Sequence, residues 1–176
     1  MYPDAYILFL VEFHSTRDYF ECHEILEDHW KEAPSGERDP VWPGLIQIAV
    51  GLYHERRGNL TGASKCLKNA GLILGPLPRR LQALGLDADR LLQAIQEQLD
   101  HLEEPFRDMN LPITDPELEA QCIRLCEQKK TRWLQDSPLE DTDLVHKHAL
   151  RDRTDIVHER DKQLRIRDKQ RRSRGM

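Results

Sequence analysis

His23 and Glu27 are the residues of this 176-residue chain best placed to do chemistry, because their types do not suit their positions. In the run Tyr-Phe-Glu-Cys-His-Glu-Ile-Leu-Glu-Asp-His-Trp, residues 19 to 30, a helix turning 100° per residue brings Tyr19, His23, Glu27 and Trp30 within about 80° of one another. Leu26 shares that stripe, so an imidazole and a carboxylate point where hydrophobic side chains belong. Burying either without a hydrogen bond or a counter-charge costs about 1 to 3 kcal/mol. The segment marks a polar site, although alone it names no reaction.

A second segment answers it. Between Val41 and Arg57, Gly44, Gln47, Gly51 and His54 share one face of a helix that is otherwise apolar almost all round, which makes it the expected central helix. Each helical glycine costs roughly 1 kcal/mol relative to alanine, so two on one face imply that another helix comes close. The expected neighbour is the helix bearing His23 and Glu27. Packed that way, His23, Glu27, Gln47 and His54 converge.

Two imidazoles and a carboxylate, His23, His54 and Glu27, could bind a divalent transition metal and leave a coordination position open. Gln47 would then orient a water or a substrate, as in a metal-assisted hydrolytic centre. The same groups could instead satisfy one another, with His54 or Gln47 donating to Glu27 and His23 fixed by Tyr19 or a backbone carbonyl. A His-Glu-x-x-His peptidase motif is excluded, because Glu27 stands where the second histidine is required and Glu24 lies outside the stripe. The Glu-x-x-His pattern of ferritin-like bundles is absent too, since residue 20 is Phe. No glycine-rich phosphate loop and no nucleophile elbow is present.

The elements that must hold these residues are helices. Apolar spacings of three and four recur and sustained alternation does not, which predicts an all-α chain: a compact, irregular bundle of five to six helices. The first runs from Asp4 to about His14. The second is capped by Ser15 or Thr16 and ends near Ala33, and the third spans Val41–Pro43 to Arg57. Leu60 to Leu74 forms a fourth, Arg79 to Leu84 a short turn, and Asp87 or Asp89 caps a helix through Leu102. Pro105, Pro112 and Pro116 punctuate an extended crossing before a last helix from Glu117 to about Trp133. Arg56, Arg57, Arg79 and Arg80 sit at helix ends, where a positive charge favours the dipole.

Charge divides the chain into a helical domain, residues 1–135, and an extension, residues 136–176. Of the overall formal charge of −5, the extension holds 11 Lys/Arg against 9 Asp/Glu and no aromatic residue, and from Glu159 onward eight basic residues face three acidic ones. It reads as a charged helical or disordered extension, whose basic end could touch nucleic acid. Four cysteines without a Cys-x-x-Cys pair read as reduced thiols, with Cys122 and Cys126 buried as small hydrophobes. The apolar run Ala5 to Phe13 fails as a signal peptide, since Asp4 precedes it and Glu12 follows Val11 within it. No stretch reaches membrane-spanning length, so the expected location is cytoplasmic.

His23, Glu24, Glu27 and Trp30 form a His-Glu-x-x-Glu-x-x-Trp signature, followed by Gly44-Leu45-Ile46-Gln47 and Gly58-Asn59-Leu60-Thr61-Gly62-Ala63. In these residues the chain resembles the prokaryotic family known as domain of unknown function 309, over about residues 15–75. The resemblance implies a small helical cytosolic domain and supplies no activity. The leading reading is a non-enzymatic protein- or ligand-binding module whose buried His/Glu polar site fixes helix register or closes a ligand or peptide groove, the Val41–Arg57 and Leu60–Leu74 hairpin resembling those that make such grooves. The alternative is a metal-dependent hydrolase-like enzyme, and the third is nucleic-acid contact through the tail.

Overall fold

A computed structural model describes residues 1–150, and every regular element among them is helical. The basic run from Glu159 and the nucleic-acid contact expected of it lie outside the described residues. In chain order the elements are α1 (Asp4–Val11), a π-helical turn (Glu12–Thr16), α2 (Tyr19–Glu32), α3 (Val41–Arg56), α4 (Leu60–Leu74), α5 (Pro78–Ala83), α6 (Ala88–Asp100), α7 (Pro116–Gln128), α8 (Thr142–Val145) and α9 (Lys147–Leu150). One isolated antiparallel bridge joins Leu86 to Ile113. No helix among these residues is long and apolar enough to cross a membrane.

Helix caps, Asp115 before α7 among them, follow from side-chain oxygens that meet otherwise orphaned amides. Asp18 accepts from the Glu21 amide at 2.9 Å, Asn59 from Gly62 at 3.0 Å and Asp87 from Arg90 at 3.0 Å. The second helix is therefore capped by Asp18, not by Ser15 or Thr16. Those two residues instead continue α1 through the π-helical turn, where Thr16 Oγ1 bonds the Glu12 carbonyl at 3.2 Å.

Arg17 ends that turn with φ +56°, a left-handed conformation uncommon for a residue with a Cβ. Holding it costs on the order of 1 kcal/mol or more, so the surroundings must over-determine it.

α3 is the central helix and packs against both α2 and α4. Val41, Leu45, Ile48, Ala49 and Leu52 on it are wholly buried. The glycine face corrects one expectation. A Cβ at Gly44 would stand 2.3 Å from Leu74 Cδ2, and one at Gly51 would stand 2.8 Å from Leu67 Cγ. The small residues thus admit α4, not α2, because Leu67 and Leu74 need the space that side chains on α3 would fill.

Met1–Val145 form one compact unit, which takes in residues 136–145 that composition had assigned to the extension. Val145 is buried, and Asp108 accepts from the Ser137 amide at 2.6 Å. A second unit begins at His146, and α9 is its described part.

Candidate functional site

α2 presents His23, Glu24 and Glu27 together on a half-exposed face, not inside the core. Their side chains are 28%, 33% and 34% exposed, because the buried stripe of α2 is carried by Tyr19, Phe20, Cys22 and Leu26. His23 Nδ1 lies 3.2 Å from Glu24 Oε1, and His23 Nε2 lies 3.4 Å from Glu27 Oε2. Ligand atoms of all three residues lie within 4.8 Å of one another. The other Glu27 oxygen takes Lys31 Nζ at 2.9 Å, one turn further along.

Both ring nitrogens of one imidazole thus face carboxylates. A protonated ring can donate to both, whereas a neutral ring donates to one and leaves a lone pair beside the other. With Nδ1–H given to Glu24, the free Nε2 and Glu27 Oε2 are spaced like two ligands on one ion, since bonds of about 2.1 Å at tetrahedral angles put ligand atoms roughly 3.4 Å apart. A carboxylate holding the far nitrogen of a ligating histidine is the usual way of fixing its tautomer and orientation.

His54 stands apart from this group. Its Nδ1 accepts from the Asn59 side-chain amide at 3.2 Å, at the junction of α3 and α4. Between the two imidazoles runs an aromatic path: His23 to Phe20 at 6.0 Å, Phe20 to Tyr53 at 6.0 Å and Tyr53 to His54 at 5.9 Å between ring centroids. The expected convergence of His54 with His23 and Glu27 does not form, because the glycine face that carries His54 turns toward α4. Gln47 shares that face and is half-buried. Trp30 packs partly buried against the core, with the Arg38 guanidinium 4.7 Å above its ring.

Tyr19 belongs to a different site. It is wholly buried, and its hydroxyl donates to Asp108 at 2.6 Å rather than fixing His23. Burial first, and then the Asp108 carboxylate, push its phenol well above the ordinary value. The Arg56 guanidinium lies 4.7 Å over the Tyr19 ring and donates to the Arg17 carbonyl at 2.7 Å and to Ser137 Oγ at 3.1 Å.

Arg17 itself is 1% exposed. It donates to the carbonyls of Phe13, Met109 and Gln135 at 3.1, 3.0 and 2.6 Å and to Asn110 Oδ1 at 2.8 Å. His14 alongside is neutral. Its Nδ1 donates to the Leu10 carbonyl at 2.8 Å, and its Nε2 accepts the Leu111 amide at 2.9 Å. Burial lowers its pKa to about 4.

This buried centre staples residues 106–113 and 131–137 onto the start of α2, a structural task that sequence periodicity does not reveal. Arg56, expected to serve the dipole at a helix end, is one of its members. Two signals were present: the polar run His14 to Asp18 between two apolar helices, and Asp108 with Asn110 in the proline-bounded crossing.

Fold and site together define an all-helical protein with a central αα-hairpin, α3 and α4, and a half-exposed His/Glu cluster on the helix before it. The model of the family described as "Domain of unknown function (DUF309)" matches residues 6–66, and the chain belongs to that family. It is 49% identical over 173 residues to "Uncharacterized protein YpuF" of Bacillus subtilis (strain 168), covering 97% of this chain and 99% of that protein. It is 29% identical over 72 residues to an "Uncharacterized protein" of Aquifex aeolicus (strain VF5), covering 41% of this chain and 22% of that one. No solved structure matches the chain.

Proposed function

We propose that the protein is a non-enzymatic helical binding module whose ligand is a divalent transition metal, held on α2 by His23 Nε2 and Glu27 with Glu24 as the acceptor for Nδ1–H. The observation that carries this is the 4.8 Å convergence of ligand atoms from three residues of one helix. A pair of ligands at i, i+4 fills half a coordination sphere and leaves the rest to water or to a partner's side chain.

The hydrolytic reading needed His54 as the third ligand and Gln47 beside the reacting atom. His54 is engaged at Asn59. Support therefore goes to binding over catalysis, and the set His23, Glu24 and Glu27 replaces the set His23, Glu27 and His54.

The test is titration of the full, untagged chain with Co(II), followed by visible absorption and calorimetry. Stoichiometric uptake is expected, with at least tenfold weaker binding in His23→Ala and Glu27→Gln. Glu24→Gln should lose roughly tenfold, the usual effect of removing a carboxylate that orients a ligating histidine. His54→Ala should bind as the parent does. Absence of stoichiometric uptake, or loss of uptake in His54→Ala, overturns the proposal, the latter in favour of a hydrolytic centre.

A further inference from the structure

Glu55, near the C-terminal end of α3, is a buried carboxylate that makes no ion pair among the described residues. The comparison with two others makes the point. Glu12 is paired with Lys129 Nζ and Thr16 Oγ1. Asp108 accepts from the Tyr19 hydroxyl at 2.6 Å and from the Ser137 amide and hydroxyl at 2.6 and 2.5 Å, with Arg17 Nε at 3.9 Å.

Glu55 is 6% exposed and meets a neutral amide: Gln98 Nε2, at 3.0 and 2.9 Å from its two oxygens. That same nitrogen also donates to the Arg107 carbonyl at 2.9 Å. Two hydrogens are thus divided among three acceptors, and the carboxylate receives about one hydrogen bond for a full charge. The Arg107 guanidinium acts on this charge only from a distance, without an ion pair, and a buried charge so weakly compensated is costly.

The carboxylate opens onto a cavity of about 250 Å³, lined also by Glu97, Gln98, His101, Arg107 and Asp108. The lining is acidic in balance, three carboxylates against one guanidinium, and that guanidinium is 66% exposed and paired with Glu104 at 2.9 Å. His101 uses Nδ1 on the Glu97 carbonyl of its own helix at 2.6 Å.

Among the described residues, no three of the cavity's carboxylate and imidazole groups bring ligand atoms within 4.8 Å of one another, so a metal is poorly served here. The Asp108 oxygens are already taken. What the site offers is hydrogen-bond acceptance by an anion in a space smaller than a typical drug-sized pocket.

We infer that this cavity binds the primary ammonium group of a small aliphatic amine, with Glu55 as its anionic acceptor. An ammonium carries three donors on a compact charge and supplies what Gln98 cannot. Burial holds the Glu55 carboxyl above its ordinary range, and a bound ammonium would lower it again.

The experiment is a titration of the full ¹⁵N-labelled chain with 1,4-diaminobutane at constant ionic strength, with 1,4-butanediol as the uncharged control, read at the Gln98 side-chain amide. The amine should move that resonance saturably and the diol should not. Glu55→Gln should weaken binding at least tenfold, while Glu117→Gln, the same charge change on exposed α7, should leave it unaltered. An unmoved Gln98 amide, an equal response to the diol, or parental affinity in Glu55→Gln overturns the inference. Should Glu55→Gln fail to fold, the parental titration against the diol decides alone.

Discussion

At the scale of single residues, polar side chains in this protein divide into those that build and those that remain available. His14 builds: both ring nitrogens are spent on backbone groups, and the ring lies 4.7 Å from that of Trp133, tilted by 39°. Its protonation would place a charge in the desolvated core, and beside Arg17, so its folded pKa falls to about 4 from an ordinary 6.5. A group depressed in this way contributes stability that is fully present above about pH 6.5 and lost as pH falls toward 4. The loss is on the order of 3 kcal/mol. Urea unfolding of the parent and of His14→Gln at pH 7, 5.5 and 4 should therefore show the parent's advantage shrinking across that window. A constant difference between the two would contradict the assignment. His23 is the opposite case, since its neighbours are carboxylates on a half-exposed face, and chemistry there can be altered without dismantling the core.

Helices pack according to which residues are small, and Gly44, Gly51 and Gly71 of the α3–α4 hairpin separate two effects. Gly44→Ala gains up to about 1 kcal/mol of helix propensity, but its methyl group would overlap Leu74, and overpacking costs roughly 1 to 3 kcal/mol. The net expectation is destabilisation, and Gly51→Ala against Leu67 should behave likewise. Gly71 lies inside α4 with nothing within 4 Å of an added Cβ, so Gly71→Ala should stabilise by roughly 0.5 to 1 kcal/mol. Chemical unfolding of the three variants checks the signs. A stabilised Gly44→Ala would mean that α3 and α4 are not in the register described.

For the molecule as a whole, the compact unit runs from Met1 to Val145 and is closed by the strap of residues 131–137 over the buried Arg17, Arg56 and Asp108 centre. A chain ending at Val145 should unfold cooperatively, with a midpoint within about 4 °C of the parent, which corresponds to less than about 1 kcal/mol. A chain ending at Leu134 deletes the Gln135 carbonyl and Ser137. It should lose stability well beyond that, because it strips acceptors from two buried guanidinium groups. Circular dichroism melts of the two truncations distinguish the cases, and equal behaviour would contradict the strap's role.

Much of this architecture was legible in the residues. Apolar periodicity fixed the all-α class and the bounds of Leu60–Leu74, and breakers at Pro34–Gly36 and Gly58–Asn59 located the turns, because these signals are local and act within one or two helical turns. His23 and Glu27 were also legible as a pair one turn apart on one helix, whereas Glu24, read as outside their stripe, was not grouped with them.

Which helix the glycine face would meet, and hence where His54 would point, depended on the volumes of Leu67 and Leu74 against those of α2 side chains. That is a comparison between segments far apart in the chain. The burial of Arg17 and of Glu55 was likewise a tertiary outcome: each is an ordinary charged residue in its local sequence, and each is enclosed by distant segments that arrive by packing.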